Sequence, residues 1–161
     1  MEKIDKSIFL FRNYSDIVDK VAKDFKIDFY GDHGIKHWER VYENTQILAS
    51  HYKVKTEVFE LFALLHDSKR ENEYEDIYHG LRASIFVKEL LDDRLIKLDR
   101  KDEDRLIFAC ANHTKKDKTN PLCNDIIVQI CFDSDKLDLG RVGIIPDASR
   151  MNTDFAKNMC R

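Results

Sequence analysis

No proline occurs in the first 120 residues of this 161-residue chain, and the whole length holds two prolines and five glycines. Sandwiches and barrels need those residues at every turn, so a chain this poor in them runs into long helices. The expected class is all-α. The length suffices for one domain with a real core, and a single domain over 1–161 is expected. Apolar residues at 43% and charged residues at 35% fit a water-facing globular protein.

Helical spacing recurs along the chain. Ile4, Ile8, Phe11, Ile17, Val18, Val21 and Phe25 predict a first helix or a broken pair. A glycine-bracketed turn follows, Tyr30-Gly31-Asp32-His33-Gly34. Trp38, Val41, Tyr42, Thr45, Leu48 and Ala49 then predict a second helix over 35–52. A third is expected over 56–66 with Thr56 as its N-cap. A fourth is expected over 79–91, with Ile85, Phe86, Leu90 and Leu91 as core candidates. The charged stretch 92–104 reads as a turn and the solvated start of a fifth helix that continues over 106–113. A basic loop over 115–121, a sixth helix over 125–139 and a short final element over 155–161 complete the pattern. The expectation is a bundle of about six helices.

A net charge of -3 gives no global case for nucleic-acid binding. The four cysteines form no CxxC arrangement, and Cys110 and Cys131 sit in apolar helical patterns, as buried free thiols do. The amphipathic N-terminal stretch does not read as a signal peptide, and no apolar run approaches the ~20 residues needed to span a bilayer. A cytoplasmic protein without a membrane partner is expected, as monomer or homodimer.

Polar residues at apolar boundaries carry the chemical information. The run Val58 to Leu65 ends in His66-Asp67. Neighbours on a helix diverge by about 100°, so both residues serve one cation only where the helix ends. Asp135 falls on the buried side of its helix by the i, i+4, i+8 relation to Ile127 and Cys131. His113 closes an apolar turn, and His37 opens the second helix. His33, four residues earlier, rivals His37, but Gly34 argues that it lies outside the helix. A buried carboxylate without a partner is costly, and four such intrusions ask for a common one. Imidazole and carboxylate donors without thiolate suit a hydrolytic divalent metal better than a structural zinc.

These pieces, His33-Gly34-Ile35-Lys36-His37-Trp38-Glu39-Arg40-Val41, Ala63-Leu64-Leu65-His66-Asp67, His79-Gly80, Ala111-Asn112-His113-Thr114 and Asp133-Ser134-Asp135-Lys136-Leu137-Asp138, resemble the HD-domain superfamily of metal-dependent phosphohydrolases over roughly residues 30–150. The resemblance implies a central metal site with His37, His66, Asp67 and Asp135 as direct ligands. It implies that His79 and His113 serve a second metal or the substrate. The expected metal is Mn, Fe, Co, Ni or Zn, with Mg as a further option. A metal-activated water would be the nucleophile, and Asp67 is the candidate to take its proton.

The implied substrate is a small phosphorylated metabolite, a nucleotide first of all. Cations beside the ligands are the phosphate-binding candidates: Arg40, Lys69, Arg70, Arg82 and Lys115. Lys136 is expected to point away if Asp135 points in, and Arg141 to lie by the glycine segment 140–143. Two other readings stand beside this one: a non-catalytic metal- or nucleotide-sensing module on the same fold, and a diiron oxygenase.

Overall fold

The computed structural model describes residues 12–115 and 119–160. Residues 4–11 of the expected first helix, the middle of the basic loop at 116–118 and Arg161 lie outside the described residues. Seven α-helices occur among the described residues, and no strand. They are α1 (Ser15–Asp24), α2 (Ile35–Tyr52), α3 (Val58–Leu65), α4 (His79–Asp92), α5 (Arg100–Asn112), α6 (Ile126–Lys136) and α7 (Asp154–Met159). Short 3-10 turns stand at Pro121–Asn124, Leu139–Val142 and Ala148–Arg150. The all-α bundle is as expected, with seven helices in place of about six.

Helix α3 explains the arrangement. All of its residues except Glu60 are buried, and it packs against α2, α5 and α6. An eight-residue helix apolar on every side is stable only at the centre of a bundle. Replacing Leu61, Leu64 or Leu65 by alanine there would cost about 2–5 kcal/mol.

Local signals set the helix ends. Thr56 Oγ1 accepts from Val58 N at 3.1 Å and donates to Asp102 Oδ2 at 3.0 Å, so it anchors the start of α3 from two residues upstream. Asp99 caps α5 through Asp102 N at 2.8 Å, and Asp102 and Glu103 in the first turn favour its positive end. Asp125 caps α6 through Ile127 N and Val128 N. The sequence pattern carries α6 on to residue 139, but the helix stops at Lys136 and gives way to the 3-10 turn at Leu139–Val142, and Asp138 in the bend between them turns its side chain to His37 and Arg40. Ile85 is a second correction. It is 47% exposed, because Ala83, Phe86, Val87 and Leu90 define the inner face of α4 and residue 85 falls opposite.

Two glycines bring the site together. A Cβ on Gly34 would lie 1.9 Å from Phe29 O, so only glycine lets the turn before α2 close on itself. Trp38 Nε1 donates to His33 O at 2.9 Å and packs edge-on against Phe25 and Phe29, fixing that turn. A Cβ on Gly80 would lie 2.7 Å from Cys110 O, so glycine lets the start of α4 meet the end of α5. His79 and His113 come into contact there.

Candidate metal centre

Six side chains from five helices and their ends converge at one end of α3. His66 and Asp67 follow its last turn, His37 lies in the first turn of α2, Asp135 in the last turn of α6, His79 begins α4 and His113 follows α5. The four imidazoles are almost fully buried.

Their outer nitrogens are all spoken for. His66 Nδ1 donates to Phe62 O at 2.9 Å and Ala63 O at 3.1 Å, His79 Nδ1 to Asp76 O at 2.6 Å, and His113 Nδ1 to Cys110 O at 2.8 Å. A carbonyl oxygen only accepts, so each of these Nδ1 atoms carries a hydrogen. His37 Nδ1 faces Asp138 Oδ2 at 2.6 Å, and a carboxylate likewise accepts. In the neutral rings all four Nε2 atoms therefore hold lone pairs, and those lone pairs face inward.

The inward nitrogens crowd each other. His37 Nε2 and His66 Nε2 are 3.1 Å apart, and His79 Nε2 and His113 Nε2 are 2.8 Å apart. Facing lone pairs at such distances repel unless a cation lies between them. Asp67 joins the two pairs. Its Oδ2 lies 3.4 Å from His37 Nε2 and 3.5 Å from His66 Nε2, while its Oδ1 lies 3.1 Å from His79 Nε2 and 3.5 Å from His113 Nε2. Asp135 Oδ1 adds contacts of 3.1 Å to His37 Nε2 and 3.5 Å to His66 Nε2. Metal–nitrogen bonds of ~2.0–2.1 Å give edges of about 3.0 Å in an octahedron and about 3.4 Å in a tetrahedron. The donor spacings match those edges. His37, His66 and Asp67 form one cluster suited to a divalent metal, and Asp67, His79 and His113 an adjacent second.

Electrostatics agrees. Burial pushes the Asp67 carboxyl up, but when the rings carry a proton on Nε2 as well, the charge of His66 and hydrogen bonds from His113, His37 and His79 outweigh it and hold the group well below the usual carboxylate range. Asp135 is likewise held low against burial, by hydrogen bonds with His37 and His66. Burial pushes His37 down, yet hydrogen bonds with Asp135, Asp138 and Asp67 raise it to about 10. Without a metal, a proton supplies the positive charge this cluster calls for.

Asp138 and Glu73 support the centre in roles that the sequence expectations did not assign, and His33, the rival of His37, stands outside both clusters. Asp138, three residues after Asp135, holds His37 from behind and accepts from Arg40 Nε at 2.7 Å. His33 Nδ1 pairs with Glu73 Oε2 at 2.6 Å. The spacing of Asp138 from Asp135 was the one available signal for the first; Glu73 lies in a polar loop that offers none.

A cavity of about 620 Å³ opens onto Asp67, His79, His113 and Asp135. Of the expected phosphate-binding cations, Arg70 and Lys115 line it. Arg70 Nε, buried and without a hydrogen-bond partner, lies 3.5 Å from Asp67 Oδ1. The other three are not among its lining residues. Arg40 is held by Asp138, Arg82 by Asp76 and by Lys69 O, and Lys69 sits 4.2 Å over the Phe86 ring. In their place the walls carry Lys136, Arg141 and Arg150. Lys136, expected to point away, is among the residues that line the cavity, and its Nζ donates to Arg150 O at 3.0 Å.

No helix among the described residues is long and apolar enough to cross a membrane. Compared with models of protein families, with characterised proteins and with solved structures, the chain finds no match.

Proposed function

We propose that this protein is a metal-dependent phosphohydrolase of the HD type, acting on a small phosphorylated metabolite and most readily a nucleotide. One observation carries the reading: four imidazole Nε2 lone pairs converge on two adjacent points that share Asp67, at the floor of a cavity walled by cations. His37, His66, Asp67 and Asp135 would hold one metal, and Asp67, His79 and His113 a second. When bound, such metals lower the pKa of water and neutralise phosphoryl oxygens.

The chain's own residues have separable tasks. Asp67 spans the two clusters with its two oxygens. Bridging is the task this geometry favours over the proton handling expected from sequence. His33 lines the cavity outside both clusters, with Nδ1 held by Glu73, which leaves Nε2 to give or take a proton on the substrate side. Arg70, with its unpartnered Nε beside Asp67, is placed to receive a phosphoryl oxygen. Lys115 adds positive charge at the rim.

The test is phosphate or pyrophosphate release from nucleoside mono-, di- and triphosphates with Mn²⁺, Co²⁺, Ni²⁺ or Mg²⁺. Release no greater than that of Asp67→Ala with every metal would end the proposal. The shared carboxylate between two clusters also suits a redox-active iron pair. Oxygen consumption with Fe²⁺ would favour that reading, and a single bound metal would remove it. Tight nucleotide binding without turnover would favour the sensing module.

A further inference from the structure

Asp133 is a fully buried acid that the metal clusters do not use. Its Oδ1 accepts from Asn152 N at 2.8 Å and Asn152 Nδ2 at 2.9 Å, and its Oδ2 from Thr153 N and Thr153 Oγ1, both at 2.8 Å. Four donors compensate the cost of burying the charge, but an apolar contact of equal volume would anchor a chain end as well. What the carboxylate adds is geometry: four bonds fix the position and orientation of residues 152 and 153.

The same helix holds the preceding residues. Lys136 Nζ donates to Arg150 O at 3.0 Å, and Met151 is buried in the core. Asp147 Oδ1 accepts from Ser149 N and Ser149 Oγ, tightening the turn that contains Arg150. Helix α6 thus carries Asp135 to the metal centre while Asp133 and Lys136, two residues before and one after, clamp the segment 149–153. That segment places Ser149 and Arg150 on the wall of the cavity that opens onto the centre.

The cations of this wall differ in availability. Arg141 donates to Asp32 O and Asp138 O, both at 2.9 Å, and Lys136 to Arg150 O. Arg150 has one long ion pair among the described residues, 3.9 Å to Asp147 Oδ2, and its side chain is 70% exposed. A guanidinium held by its backbone and loose at its tip recognises an anion that arrives with the substrate.

We infer that Arg150 is a specificity-determining contact for a second anionic group of the substrate, away from the one at the metals, and that Asp133 is the residue that positions it. This rests on the phosphohydrolase reading for the presence of a phosphorylated substrate. It selects, within that class, molecules carrying a chain of phosphates over monophosphates.

The test compares AMP with ATP, which differ only in phosphate number, each titrated calorimetrically into Mn²⁺-loaded protein in excess Mg²⁺ so that the phosphate chain does not strip the centre. Wild type should prefer ATP. Arg150→Ala should shrink that preference about tenfold, the loss expected for one charge-assisted contact, and Arg150→Lys should restore part of it. Asp133→Asn should shrink it as much, and no further in the Arg150→Ala background, because both act through one guanidinium. If Asp133→Asn does not fold, Thr153→Val, which removes one of the four bonds, takes its place. No ATP preference in wild type, or a preference unchanged by Arg150→Ala, overturns the inference. A lower Tm with the preference intact makes Asp133 a structural pin and overturns its positioning role. Release of phosphate is followed in the same samples. An Arg150-dependent ATP preference without turnover sinks the hydrolase reading alone, and turnover with an Arg150-independent preference sinks this one alone.

Discussion

Asp138→Asn is the sharpest probe of the centre, because it replaces one carboxylate oxygen by an amide nitrogen, and removes the charge, with almost no change of shape. Asp138 presents Oδ2 to His37 Nδ1 at 2.6 Å and Oδ1 to Arg40 Nε at 2.7 Å. An asparagine there has one oxygen and one amino group to share between the two. Arg40 can only donate, so it takes the oxygen and leaves the amino group facing His37 Nδ1. That forces the hydrogen of a neutral His37 from Nδ1 to Nε2, where it blocks the lone pair aimed at the cluster. Loss of such an outer partner costs 10–100-fold in metal affinity, about 1.4–2.7 kcal/mol. Calorimetric titration with Mn²⁺ should show one weakened site, that of His37, His66 and Asp67, with the Asp67, His79 and His113 site unchanged. Arg40→Ala in the Asp138→Asn background should free the amide to turn over, and part of the lost affinity should return. Unaltered affinity in Asp138→Asn, or further loss in the double variant, would refute the tautomer reasoning.

Asp67→Ala should abolish both sites and His113→Ala only one, so metal analysis of protein purified without chelator should read zero and one equivalents against two in wild type; equal loss in both variants would show that Asp67 does not bridge. His33→Gln should lower kcat by about 10²–10⁴ with metal content unchanged, and a parallel loss of metal would instead make His33 a ligand. In EDTA, the raised pKa of His37 gives stability that is fully present below its unfolded value near 6.5 and is lost as pH rises toward about 10. The depressed Asp67, Asp135 and Asp138 give stability present above the usual carboxylate range and lost as pH falls below it toward their own lower values. Metal displaces the His37 proton, so the gap in Tm between Mn²⁺-loaded and EDTA-treated protein should widen from pH 6 to pH 9. A narrowing gap would show that no ligand proton is released.

Helix α2 was readable to the residue, because Gly34 bounds one end and the apolar pattern stops at the other, where Lys53 takes a left-handed φ of 56° and closes the helix onto Ala49 O. The end of α6 was not. Leu137 and Leu139 continue its apolar rhythm, yet the chain bends there, where Asp138 is bonded to His37, 101 residues earlier in the chain. Periodicity reports a local preference, and a contact across the bundle overrides it without leaving a trace in the local pattern. Ile85 failed differently: it is apolar but one position out of phase with the inner face of α4, and surface apolar residues are ordinary.

The residues that converge at the centre stood out because a short polar side chain at a buried position has little freedom. An imidazole at the end of an apolar turn ends up near its backbone, and the cost of burying it demands a partner. The cations were opaque for the opposite reason. A lysine or arginine reaches several ångströms from its Cα, so its target depends on which carboxylate or ring folding brings within reach. Arg40 and Arg82 stand beside proposed ligands in sequence and are held by Asp138 and Asp76, while Lys69 settles over Phe86. Arg150 is far from every ligand in sequence and reaches the cavity because a buried carboxylate holds the backbone just beyond it. Proximity along the chain therefore locates the clustered imidazoles and carboxylates in such a fold and misplaces the cations that line the cavity. The better guide to those is a buried acid whose donors all come from one loop, since such an acid shows which loop the fold has been built to hold still.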